Sequence, residues 1–65
     1  MSPTWQREGT TYVLDVVGRG RATIMPKGGE FVLLVARDGG RTDYVFGRSV
    51  VQLQAQAEEK LGRSG

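Results

Sequence analysis

The stretch that most constrains the fold is Glu30 to Arg37, EFVLLVAR. Successive side chains of an extended strand point to opposite faces. Phe31, Leu33 and Val35 therefore share one face and Val32, Leu34 and Ala36 the other, and both sets are apolar. A strand of this kind must be buried on both sides. The whole chain has 65 residues with which to cover it. That is one domain, burying roughly 60% of the surface its unfolded chain exposes. There is no cysteine and no histidine. Disulfides and thiolate metal sites are thus excluded, and the commonest metal ligand and general base is missing. Of the usual supports for so small a core, association with a partner or a second copy is the one left.

Other segments supply neighbours for this strand. Residues 10–17, TTYVLDVV, alternate with Tyr12, Leu14 and Val16 on one face and Val13, Asp15 and Val17 on the other. Residues 21–27, RATIMPK, form a second strand with Ala22 and Ile24 opposed to Thr23 and Met25. Pro26 cannot donate to a ladder, so that strand ends there or lies at an edge. Gly28-Gly29 and Asp38-Gly39-Gly40 are hairpin turns, and TDYVF at 42–46 is a short further strand. Ser49 with Gln52 three residues on makes a capping-box pattern. Val50, Leu53, Ala57 and Leu61 then fall on one helical stripe that Gly62 ends.

The expected fold is α+β: an antiparallel three- to four-stranded sheet, β-β-β-β-α, packed on one C-terminal helix. Residues 1–9 are expected to be a flexible arm, 10–61 the single domain and 62–65 a frayed tail. One helix covers one face of such a sheet. The second face is left for the arm carrying Trp5, for a second copy, or for a target protein, because a large bare apolar patch marks an interface.

Gly18-Arg19-Gly20-Arg21-Ala22-Thr23 has the glycine spacing of a phosphate loop. A dinucleotide fingerprint needs a third glycine where Thr23 stands, and it must open a helix. A strand follows instead, so the glycines read as turn residues. Seven of the nine cations are arginine, and the net charge is +2. Arg19, Arg21, Lys27, Arg37, Arg41 and Arg48 lie in turns or at strand ends and form a cationic rim. With Trp5 they are the candidate partner-binding residues. Such a rim suits protein contacts, where arginine is enriched, or the phosphates of a nucleic acid.

Glu8, Asp15, Glu30, Asp38 and Asp43 are scattered and form no acid/base pair. The chain therefore reads as a non-enzyme with no catalytic, metal or cofactor residue and no cofactor. No apolar run reaches the ~18 residues of a membrane span. MSPTWQREG has no apolar core of a secretory signal, and a cytoplasmic location is expected.

Gly20 to Leu61, GRATIMPKGGEFVLLVARDGGRTDYVFGRSVVQLQAQAEEKL, resembles two groups. One is the AP2-type three-strand-plus-helix DNA-binding domain, also found at the N-terminus of tyrosine integrases. That resemblance implies sheet arginines reading a major groove. Leu33 and Leu34 stand where the family carries an aromatic in its central strand. The other group is small phage and mobile-element proteins of hairpin-and-helix layout, anti-CRISPR inhibitors among them. That resemblance implies a protein-level inhibitor and names no site. The expected function is a small non-enzymatic binding protein, a phage or mobile-element accessory acting through protein contacts. The expected partner is a protein, or self as a homodimer through the open sheet face. The alternative is a nucleic-acid-binding module using the Arg-bearing hairpins.

Overall fold

The computed structural model describes residues 5–62. Its elements are β1 (Gln6–Glu8), β2 (Thr11–Val16), β3 (Gly20–Lys27), β4 (Glu30–Arg37), β5 (Thr42–Gly47) and α1 (Val50–Lys60). The strands form one five-stranded antiparallel meander in the order β1-β2-β3-β4-β5. This is the expected α+β class, a sheet against one C-terminal helix.

Local chemistry sets each hairpin. Gly28 and Gly29 both have positive φ, 55° and 84°. That is the two-residue turn whose twist matches the flanking strands, and Lys27 pairs with Glu30 across it. Pro26 lies inside β3 rather than ending it, opposite Phe31. The β2 pairing has already stopped at Tyr12 with Ile24, so no β2 residue is paired with Pro26. Gly20 is required for a different reason. Its φ is 150°, and a Cβ there would collide with the Ala36 carbonyl oxygen and lie 2.8 Å from the Arg37 Cα. This close approach brings two turns together, and the Asp38 N–H donates to the Arg19 carbonyl at 2.8 Å.

Register then decides what is buried. Tyr12, Ile24, Leu33 and Val45 form one row across four strands, and Leu14, Ala22 and Val35 form the next. These rows face α1, whose Leu53 and Ala57, with the C-cap residue Leu61, are buried against them. The helix begins where the sequence indicates. Ser49 is extended, and its Oγ accepts the Gln52 N–H at 3.3 Å. At the other end Gly62 takes φ 69°, and its N–H reaches the Glu59 carbonyl at 3.1 Å.

The strand number is the one correction to the expected fold. The sheet has five strands rather than three or four, because Gln6–Glu8, inside the expected arm, pairs with β2. Gly9, at φ 66°, opens the two-residue turn that permits this. All of β1 is exposed, so it carries no apolar alternation to announce it. Trp5, offered as one of three covers for the second face, does not lie there; residues 1–4 of the expected arm lie outside the described residues. Trp5 packs against the core on the helix side. The expected tail at 62–65 falls mostly outside the described residues.

The Gly20 geometry sets a contrast with Gly28, where a Cβ would meet nothing within 4 Å. Gly28→Ala should cost about 1 kcal/mol, the strain of a left-handed alanine. Gly20→Ala adds a backbone collision and should cost about 3 kcal/mol. Urea midpoints for the two variants measure this, and equal losses would remove the close-approach account.

Candidate functional site

The candidate site is the sheet face turned away from α1. Alternation and register place Val13 on β2, Thr23 and Met25 on β3, Val32 and Leu34 on β4, and Tyr44 and Phe46 on β5 of that face. Val13, Thr23, Leu34 and Tyr44 form one cross-strand row, and Met25, Val32 and Phe46 the next. Among the described residues no helix lies over them. Val32 is nevertheless 6% exposed, with Met25 and Phe46 directly across from it on either side. Tyr44 and Phe46 stand on the outermost strand and are 63% and 58% exposed. The face is an apolar strip, deepest over β4 and ending in two open aromatics.

Its charges lie mostly on β1, β2 and β3, with Glu30 at the start of β4. The same register puts Glu8, Asp15, Arg21, Lys27 and Glu30 on this face. Among the described strand residues of this face, two cations against three anions leave no positive surplus. Arg21 grips Asp15 across the strands, with Nε donating to Oδ1 at 2.7 Å and Nη2 to Oδ2 at 3.2 Å. This bond, with the guanidinium charge, holds the Asp15 carboxyl below its ordinary value and the Arg21 guanidinium above its own.

The remaining sequence candidates are dispersed. The Arg19 guanidinium sits at the C-terminus of α1, where a Cβ on Gly62 would meet it, and there the helix dipole favours a cation. Arg37 belongs to the helix face, with Nη2 bound to Asp43 Oδ2 at 2.9 Å. Arg41 lies in the β4–β5 turn, at the end of the sheet shared with Arg19. Lys27 and Arg48 lie at the opposite end, beside the β3–β4 turn and after β5. The cationic rim is thus divided between two ends, with Arg21 and Arg37 ion-paired. The cleft between the β2–β3 and β4–β5 turns is lined by Asp15 and Asp38 as well as Arg21 and Arg37. Its charges balance, and GRGRAT makes a turn there rather than an anion cradle.

Trp5 anchors the fold. Its indole packs on the core, and Nε1 donates to Glu58 Oε2 at 2.9 Å. It thereby ties the β1 edge to α1, which otherwise lies against β3, β4 and β5. Sequence reasoning missed Tyr44 and Phe46 as site residues. The signal was present in TDYVF, whose aromatics alternate onto the same face as Val32 and Leu34.

Among the described residues no cluster of acidic, His or Cys side chains is placed to hold a metal, and no helix is long and apolar enough to cross a membrane. No protein family, curated protein or solved structure matches the chain.

The anchoring role of Trp5 has a measurable size. Trp5→Phe keeps most of the packing and loses the indole bond, for about 1 kcal/mol. Trp5→Ala loses both, for about 3 kcal/mol. Chemical unfolding followed by circular dichroism checks the order, and an unchanged midpoint for Trp5→Ala would show that the indole is no anchor.

Proposed function

We propose that this chain is a small non-enzymatic binding protein whose open sheet face takes up a protein surface. The observation that carries the reading is the pair of exposed aromatics, Tyr44 and Phe46, continuing the strip of Val13, Met25, Val32 and Leu34. Interface cores are rich in aromatics and methionine and poor in charge, which describes the patch of Met25, Val32, Leu34, Tyr44 and Phe46. The Asp15–Arg21 pair and its acidic neighbours supply a polar rim beside it.

Nucleic acid is the weaker reading. A phosphate backbone needs a cationic surplus, and this face carries none. The arginines at the two ends of the sheet would have to act without it. Self-association of the chain belongs to the same proposal. The accessory role in a phage or mobile element, and inhibition of a host protein, rest on resemblance of layout and extend the proposal.

The test pairs two multiple variants in a pull-down from host extract. Tyr44→Asp/Phe46→Asp should abolish retention of the partner, at a stability cost of about 1 kcal/mol per site because Asp is a poor strand residue and Phe46 shields Val32, so a urea midpoint is taken beside it to show that the variant is folded. Arg19→Gln/Arg41→Gln/Arg48→Gln should leave retention intact. The reverse pattern, joined by a duplex or single-strand gel shift that weakens steeply with salt, would overturn the reading in favour of nucleic acid.

A further inference from the structure

The strand that carries Tyr44 and Phe46 is also a free edge of the sheet. Its backbone bonding follows from one contact, the Arg37 N–H to the Arg41 carbonyl at 3.4 Å. Bonded and non-bonded pairs alternate along an antiparallel ladder. Asp43, Val45 and Gly47 therefore turn their backbone groups to β4. Thr42, Tyr44 and Phe46 direct their N–H and C=O groups outward along the edge. An unpaired row of this kind is a template for another strand, and proteins commonly blunt it. The opposite edge is blunted, for β1 is three exposed residues, Gln6, Arg7 and Glu8. β5 has six residues, no proline or lysine, and two exposed aromatics.

We propose that the β5 edge pairs antiparallel with β5 of a second copy, in the register centred on Val45. This rests on the reading of the chain as a protein-contacting molecule and names both the partner and its point of entry. Three observations select a second copy and this register. Centred on Val45, each Tyr44 stands opposite Phe46 of the other copy, twice over, and aromatic pairs stabilise facing strands. Asp43 then faces Gly47 rather than another carboxylate, whereas a register centred on Asp43 would set the two acids against each other. Finally, stacking two open faces would enclose the Asp15–Arg21 pair, whose side chains are now 59% and 62% exposed. Burying such a pair costs desolvation that the contact does not readily recover. Edge pairing leaves it in water. Because β1 is blunted, a β5-to-β5 contact closes on itself and does not propagate. The result is a ten-stranded sheet, by doubling the five, with both helices on one side. The two aromatic pairs then merge into one strip on the other side.

Engineered cysteines test this directly, since the chain has none of its own. In the proposed register the two Val45 residues form a non-bonded pair with Cα atoms about 4.5 Å apart, within the range a disulfide spans. Under mild oxidation Val45→Cys should convert largely to a species of twice the 7.1 kDa monomer mass. Leu34→Cys, on the open face in mid-sheet, should remain monomeric. A cross-link through Leu34→Cys and not Val45→Cys would overturn the edge contact while keeping the open face as the interface. A cross-link through neither, with wild-type chain sedimenting as a monomer at high concentration, would overturn the second copy as partner. It would leave the face to a different protein, which the pull-down above decides separately. Should Val45→Cys fail to fold, Tyr44→Pro serves instead. Its lost N–H is an outward one, so the β4–β5 ladder survives, and a wild-type dimer should become monomeric. An unchanged dimer would overturn the proposal.

Discussion

One helix cannot cover a strand that is apolar on both faces, and much of this structure follows from that shortage. Leu33 and Val35 are fully buried beneath α1. Val32 and Leu34, one residue out of phase, look the other way, and no second layer among the described residues meets them. The fold responds by economy. Met25 and Phe46 stand across from Val32 and nearly close it off. This moves the exposure outward to the aromatics of β5. A one-residue slip of β4 would exchange the two faces, so the register that builds the core also determines which side chains the molecule presents.

The inner layer is itself short of cover, and the N-terminal segment makes up the difference. The helix lies over β3, β4 and β5, leaving the β1–β2 side to Tyr12, Val16 and Trp5. The Trp5–Glu58 bond joins the first described residue to the last turns of α1. At the far end of the sheet, Gly20 lets β3 run against the Ala36–Arg37 backbone and brings the β2–β3 and β4–β5 turns into hydrogen-bonding contact. Much of the arginine content is used in the same structural work. Arg21 and Arg37 are held in ion pairs, and Arg19 lies at the helix terminus. Exposed pairs of this sort add little stability, but they leave fewer cations free to grip phosphates.

The parts of the fold legible in the sequence were those encoded locally. The two-residue period of extended strands assigned the side chains of residues 11–16 and 30–37 to their correct faces, whereas Val17, expected on the Val13 face, lies in the β2–β3 turn and is 99% exposed. Gly28-Gly29 and Asp38-Gly39 marked turns because few other residues tolerate positive φ, and Ser49 announced the helix by its cap. The rest depended on contacts distant in sequence. Gln6–Glu8 has no apolar pattern and is a strand only because Gly9 folds it back onto β2. The destination of Trp5 lies 53 residues away at Glu58. The pairing of Arg37 with Asp43 requires the β4–β5 register to be known. The candidate site divided in the same way. The existence of an open apolar face was readable from β4 alone, whereas the residues that dominate it, Tyr44 and Phe46, were hidden in a short strand whose neighbours were not yet fixed.

The central claim is that β5, through its open-face aromatics and its outer edge, is where this molecule meets other proteins, its own copy included. A dilution series of proton–nitrogen correlation spectra tests it most directly. The account predicts concentration-dependent shifts centred on the amides of Thr42, Tyr44 and Phe46, with smaller ones at Val32 and Leu34 and none on the outer side of α1 at Gln52 and Gln56. Shifts confined to the helix, or to the turns bearing Arg19 and Arg41, would contradict it.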